Sequence, residues 1–212
     1  MNSVKENSPR HFRQQQGISL IVVLILLSAI FIVAAFGARL TILGEKASRN
    51  DRDRQIAFQA AEAALADAEI DIMGPNEATN SRVCKMDGSQ IDLFIDGCGS
   101  TDTDRGLCAT NSSTTTQIYK TIDFEETGSS RHYVTLGDYT GRSVGFSTDS
   151  SALPAKAPRY IIELIPYNHV AGANASQRKS AFLVTSVGYG LNDKTQVMLQ
   201  SVIFKPEQTP GC

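Results

Sequence analysis

Hydrophobic positions are spread very unevenly along the chain. From residue 18 to residue 36 the sequence reads ISLIVVLILLSAIFIVAAF, in which only Ser19 and Ser28 carry a polar side chain. A helix of that length spans roughly 28 Å, close to the hydrocarbon thickness of a bilayer. A helix apolar on every side has no use in a soluble domain of this size, so a buried core helix is the weaker reading. A secretory signal is the serious rival, because Ala35-Phe36-Gly37 offers small residues and a cut before Ala38. The run is, however, longer than the ~7–15 apolar residues usual for such signals.

The pattern then changes period without breaking. Between Gly37 and Met73 there is no proline and only one further glycine, Gly44, and then Gly74-Pro75 gives a stop. The stretch AFQAAEAALADAEI is made of good helix formers. Ile56, Ala60, Ala63 and Ala64 line one side, Phe58, Leu65 and Ile72 recur at heptad spacing, and Glu62, Asp67, Glu69 and Asp71 are expected mostly elsewhere. Glu45–Arg49 and Arg49–Asp53 are spaced for ion pairs on one helix face. The pattern predicts one helix over 18–73, fit for lipid at its start and amphipathic at its end.

After Pro75 the periodicity turns to that of strands. Residues 118–124 (IYKTIDF), 132–136 (HYVTL), 160–165 (YIIELI), 181–189 and 196–204 read as strands, with Leu191-Asn192-Asp193-Lys194 as a hairpin connection. Residues 96–116 are mostly Asp, Gly, Ser and Thr, with almost nothing to fill a core, and read as a loop. Strands without intervening helices point to an antiparallel sheet, which gives the small-residue face of the helix a partner. The fold class expected is therefore α+β, a long N-terminal helix packed on an antiparallel β-sheet head.

Charge divides the chain the same way. Residues 1–17 carry Lys5, Arg10 and Arg13 against Glu6, residues 18–36 carry no charge, and the formal net charge is −2. A strongly basic nucleic-acid binder is thereby excluded as the default, and Arg52-Asp53-Arg54, with its own carboxylate and no aromatic neighbours, does not restore it. Arg39, Lys46, Arg49, Arg52 and Arg54 follow the apolar run, so the positive-inside count does not by itself favour export of the body. The cysteines do. Cys84, Cys98, Cys108 and Cys212 are an even set in a chain with an export segment, which reads as two disulfides and an oxidising compartment. Cys98–Cys108 with Cys84–Cys212 is the preferred pairing, and Cys84–Cys98 with Cys108–Cys212 stays open.

Catalytic chemistry is sparse. His132 and His169 are isolated, and G-x-S-x-G, the phosphate-loop motif and H-E-x-x-H are missing. Ser176 and Lys179 match S-x-x-K without its partner motifs. The cysteine and histidine spacing does not make a zinc site. Asp92, Asp96, Asp102 and Asp104 lack the calcium-loop spacing and read as a solvated acidic loop. No enzyme, cofactor or metal is expected.

Four segments carry a family likeness: QQQGISLIVVLILL at 14–27, NDRDRQIAFQAAEAALADAE at 50–69, PRYIIEL at 158–164 and VTSVGYGLNDKTQVMLQSVIF at 184–204. The first resembles the processing site of type IV prepilins, and the others resemble PilX-like minor pilins. The resemblance implies a leader (1–17) cut after Gly17, methylation of the new N-terminus at Ile18, a transmembrane and fibre-core helix (18–36), its amphipathic continuation (37–73) and a periplasmic β-rich head (74–212). It also implies prepilin peptidase, other minor pilins, the major pilin, the inner-membrane assembly platform and a large tip adhesin as partners, and residence first in the inner membrane and then on the pilus. Two positions depart from the pattern. Most pilins carry a Glu five residues into the mature chain, where this one has Val22, and the usual proline kink site holds Arg39. The rival readings are a type II secretion pseudopilin lacking the same Glu, and a single-span inner-membrane protein with a ligand-binding periplasmic head.

Overall fold

The computed structural model describes residues 18–75, 79–86, 91–109, 117–143, 153–165 and 180–205. Gly17 and the leader, residues 110–116, His169, Ser176, Lys179 and Cys212 lie outside the described residues. The chain divides into two units, one ending at Arg49 and the other beginning at Asn50. A single helix, α1 (Ile18–Met73), contributes to both.

In the first unit α1 is exposed along its whole length. Leu, Ile and Ala without a breaker keep it helical. Two of its hydroxyls bond to its own backbone: Ser28 Oγ donates to the Ile25 carbonyl at 2.8 Å and Thr41 Oγ1 to the Gly37 carbonyl at 3.1 Å. A hydroxyl satisfied within the helix leaves nothing polar to strand in an apolar medium. Glu45 and Arg49 pair at 2.5 Å, as the spacing predicts.

In the second unit α1 buries Ala57, Ala60, Ala61, Ala64, Ala68 and Ile72, a stripe at helical spacing, and ends at Gly74. Gly74 has φ 95°, and its amide donates to the Ile70 carbonyl at 2.8 Å, so glycine closes the helix in a left-handed cap. Phe58, expected with the buried heptad positions, is 43% exposed, and Ile56 and Ala63 are half-buried. The true stripe is one residue round from that expectation.

The stripe packs on a five-stranded sheet: β1 (Leu107–Ala109), β2 (Val134–Thr135), β3 (Arg159–Ile165), β4 (Ser180–Tyr189) and β5 (Gln196–Lys205). The order is β1-β3-β4-β5, with β2 beside β3. β3, β4 and β5 are antiparallel neighbours, with Ile162 opposite Val184 and Val184 opposite Ser201. The wholly antiparallel expectation needs one correction. β1 runs parallel to β3, with Leu107 opposite Ile162. It comes from the stretch expected to be loop, and at three residues it is too short for alternation to reveal it.

The helix and sheet meet at very close range. A side chain on Gly188 of β4 would collide with the Ala57 carbonyl and the Ala61 amide, and one on Gly190 would collide with Asp53. Ser186 Oγ donates to the Ala61 carbonyl at 2.9 Å. Alanines on the helix and glycines in VGYG are thus two halves of one contact. Asp53, expected to pair with Arg49, instead accepts the amides of Leu191 and Asn192 at 2.5 and 3.2 Å and so holds the β4–β5 connection.

Two cores flank the sheet. Towards the helix, Ala64, Ala68 and Ile72 pack with Tyr160, Ile162, Phe182 and Val184. On the far face Cys98, Cys108, Ile118, Phe124, Tyr133, Ile161 and Tyr189 form the second. Residues 118–124 cover that second core but are not a strand. Ile118–Lys120 is a 3₁₀ turn, Thr121 Oγ1 donates to the Ile118 carbonyl at 2.7 Å, and Asp123 Oδ1 accepts the Glu125 amide at 2.8 Å. Short polar side chains have captured backbone groups that a ladder would need.

Candidate assembly surface

Ile18, the first described residue of α1, is 62% exposed, and Val22 is 49% exposed. Every large apolar side chain from Ile18 to Leu43 lies open, and the first ionisable side chain is Arg39. Val22 offers no carboxylate for an amine to pair with. α1 is the one helix among the described residues long and apolar enough to cross a membrane. Such a surface performs no bond chemistry. It partitions into lipid or packs against other apolar helices, because both surroundings demand the same side chains.

The head is anchored to its own stretch of α1 by charge as well as by alanine. Asp71 and Arg82 form a fully buried pair at 2.6 Å, with Arg82 Nε also donating to both carboxylate oxygens. Arg82 Nη1 donates to the Arg105 carbonyl at 2.7 Å, its guanidinium lies 3.8 Å over the Tyr139 ring, and the Tyr160 hydroxyl donates to Asp71 at 3.0 Å. Burial works against the guanidinium, but Asp71 outweighs it and holds Arg82 above its ordinary pKa. Tyr160 is pushed well above its ordinary value, first by burial and then by Asp71.

One turn earlier, Asp67 accepts the Gly137 amide at 2.9 Å and the Thr140 hydroxyl at 2.5 Å. Burial raises its pKa, and these two donors partly offset that. Gly137 has φ 91°, and a side chain there would strike the Arg142 carbonyl, so glycine is what lets this turn reach the helix. The sequence pattern puts Asp67 and Asp71 mostly away from the buried face, whereas both are buried. The signal was available: both continue the spacing set by Ala57, Ala60, Ala64 and Ala68.

Cys98 and Cys108 are bridged in the far-face core, across a sequence separation of 10 residues. Cys84 is also disulfide-bonded. Among the described residues no three His, Cys, Asp or Glu side chains gather to hold a metal ion. Asp104 Oδ1 accepts the Thr101 amide, and Asp102 pairs with Arg105 at 2.9 Å, so these loop carboxylates serve their own turn. His132 Nδ1 lies 2.9 Å from Glu126 on a half-exposed surface. That contact holds Glu126 below its ordinary pKa.

A long apolar helix continuing into an α+β head with a five-stranded sheet defines a pilin-like fold. The chain belongs to the PilX family of type IV pilus assembly proteins: residues 16–66 match the PilX N-terminal model, and residues 102–205 match the model for the C-terminal part of type IV pilus assembly protein PilX. It is a type IV pilus minor pilin, and an exposed apolar helix at its N-terminal end fits a membrane-anchored one. No curated protein and no solved structure matches the chain.

Proposed function

We propose that this minor pilin primes assembly of the pilus and sits near the fibre tip, in a complex with other minor pilins and a large tip adhesin. The observation that carries the reading is the wholly exposed run from Ile18 to Phe36, which contains no ionisable group and has Val22 where related pilins have Glu. In those relatives the Glu neutralises the N-terminal amine of the neighbouring subunit inside the fibre. A subunit lacking it has no carboxylate to offer the next one, so it belongs at an end of the stack. Valine also avoids leaving an unpaired charge in an apolar medium.

The chain is held in the inner membrane by residues 18–36, with residues 37–73 continuing the helix and residues 74–212 in the periplasm. Prepilin peptidase cuts between Gly17 and Ile18, and Ile18 is methylated. The assembly platform then moves the subunit from bilayer to fibre beneath the cell surface, alongside the major pilin. The mechanism is packing, without turnover. A disulfide in the head supports the periplasmic orientation, because such bonds persist in oxidising compartments. The test is deletion with electron microscopy. Loss of the chain lowers the number of surface pili more than the strength of those that remain, and labelled antibody marks one end of each fibre. Dense labelling along the whole fibre overturns the tip position.

A further inference from the structure

Among the described residues β5 pairs with β4 on one side and with no strand on its outer side. It is ten residues long, and from Gln196 to Phe204 it contains neither proline nor charge. Met198, Val202 and Phe204 stand 43%, 47% and 53% exposed on it. Natural sheets blunt such edges with lysine, proline or a covering segment, because unpaired amides and carbonyls beside apolar side chains recruit another strand. Among the described residues nothing covers this edge, and its one lysine, Lys205 at the end, is buried and donates to the Val83 carbonyl.

Two concavities lie in line along the seam between β5 and α1. One, of about 450 Å³, is formed by Asn50, Arg54, Lys194 and Gln196 with Met198. The other, of about 530 Å³, is formed by Glu62, Leu65, Glu69 and Met73 with Val202 and Phe204. The seam is therefore basic at one end, and acidic and apolar at the other. Neither cation and neither carboxylate has an ion-pair partner among the described residues.

We propose that the β5 edge is a docking site for an extended segment of another pilus protein, which adds a sixth strand to the sheet. Resting on the reading that the head meets other subunits of the assembly, the proposal names the chemistry of what it meets. A strand is the occupant because only an extended backbone answers a row of free edge amides and carbonyls, whereas a helix keeps its own paired. Covering β5 takes about 10 residues at strand spacing. The segment has apolar residues at alternating positions, a carboxylate at the end facing Arg54 and Lys194, and a Lys or Arg at the end facing Glu62 and Glu69. A second copy does not meet these terms. Copies anchored in one membrane through the same span stand parallel, and their seams would set Arg54 against Arg54 and Glu62 against Glu62.

The test places a photo-crosslinking amino acid at Met198 or at Ser201 of the full chain, in cells assembling pili, and sequences the crosslinked peptides by mass spectrometry. The expected result is one continuous segment of one other pilus protein joined at both positions, with the stated charges at its ends. Reversing the exposed rim, Glu62→Lys with Glu69→Lys, lowers the adduct yield about tenfold while the Cys98–Cys108 bridge still forms. Adducts to a second copy, adducts to a helical segment, no adduct at either position, or an unchanged yield after charge reversal each overturn the proposal. Pilus number reports on priming and the crosslinked peptide reports on the edge, so either reading can fail alone.

Discussion

Two stretches of one helix, Ile18–Arg49 and Asn50–Met73, are held by different physics. In the first every large apolar side chain is exposed, and Ser28, Thr41, Glu45 and Arg49 find their partners within the helix. In the second the buried side chains are mainly alanine, and the largest commitments are two carboxylates facing the head. The first stretch is written for whatever apolar medium surrounds it. The second is written for one partner surface at contact distance. Substitutions should therefore be tolerated in the first if they stay apolar, and be costly in the second even when they are small.

The largest effect tests the charged half of that contrast. Asp71→Ala strands Arg82 in the core, and loss of one member of a buried pair costs about 3–5 kcal/mol. Chemical unfolding of the detergent-solubilised full chain, followed by tyrosine fluorescence, reads it. The double change Asp71→Leu with Arg82→Met should cost less than the single one, and an additive result would mean that the pair is not coupled.

Next is the close contact. Gly188→Ala forces a methyl group into the α1 backbone, which an overpacked interface answers with a loss of about 1–3 kcal/mol. Leu24→Ile, in the exposed stretch, should leave head unfolding unchanged in the same assay.

A smaller effect follows from Glu163, which is buried on β3 with one carboxylate oxygen lacking a hydrogen-bond partner. Burial raises its pKa above the ordinary 4.5. The folded head therefore binds this proton more tightly than the unfolded chain, and stability falls as pH rises from 4.5 through the raised value. Asp67 acts in the same direction from its ordinary 3.8. Glu163→Gln should make the decline shallower above pH 4.5, and an unchanged slope would remove Glu163 from the account. The smallest effect is at the exposed Glu45–Arg49 pair, 62% and 78% open, where Glu45→Ala should change stability by no more than about 0.5 kcal/mol.

These contrasts also explain what the sequence makes legible. The extent of α1 could be read because an uninterrupted apolar run and a Gly-Pro stop are local signals. β3, β4 and β5 could be read because each is long enough to show its period. β1 could not, since Leu107 and Cys108 enter the core from a polar stretch by tertiary pairing with β3. Residues 118–124 misled because their alternation is real in composition, while Thr121 and Asp123 bind the local backbone. Among the expected site residues, Ile18 and Val22 fall on the exposed apolar helix, and Cys98 and Cys108 meet in the far-face core. The Asp71–Arg82–Tyr160 cluster was hidden because charge is ordinarily assigned to the solvent face, and Arg82 and Tyr160 arrive from distant parts of the chain.

The central claim, that Ile18 begins a processed pilin, is tested most directly by mass spectrometry of the mature chain recovered from sheared surface pili. The account predicts a methylated N-terminus at Ile18, and an uncut precursor confined to the membrane when Gly17 is replaced by a bulky residue. A mature N-terminus at Ala38, or absence of the chain from sheared fibres that carry the other minor pilins, would contradict it.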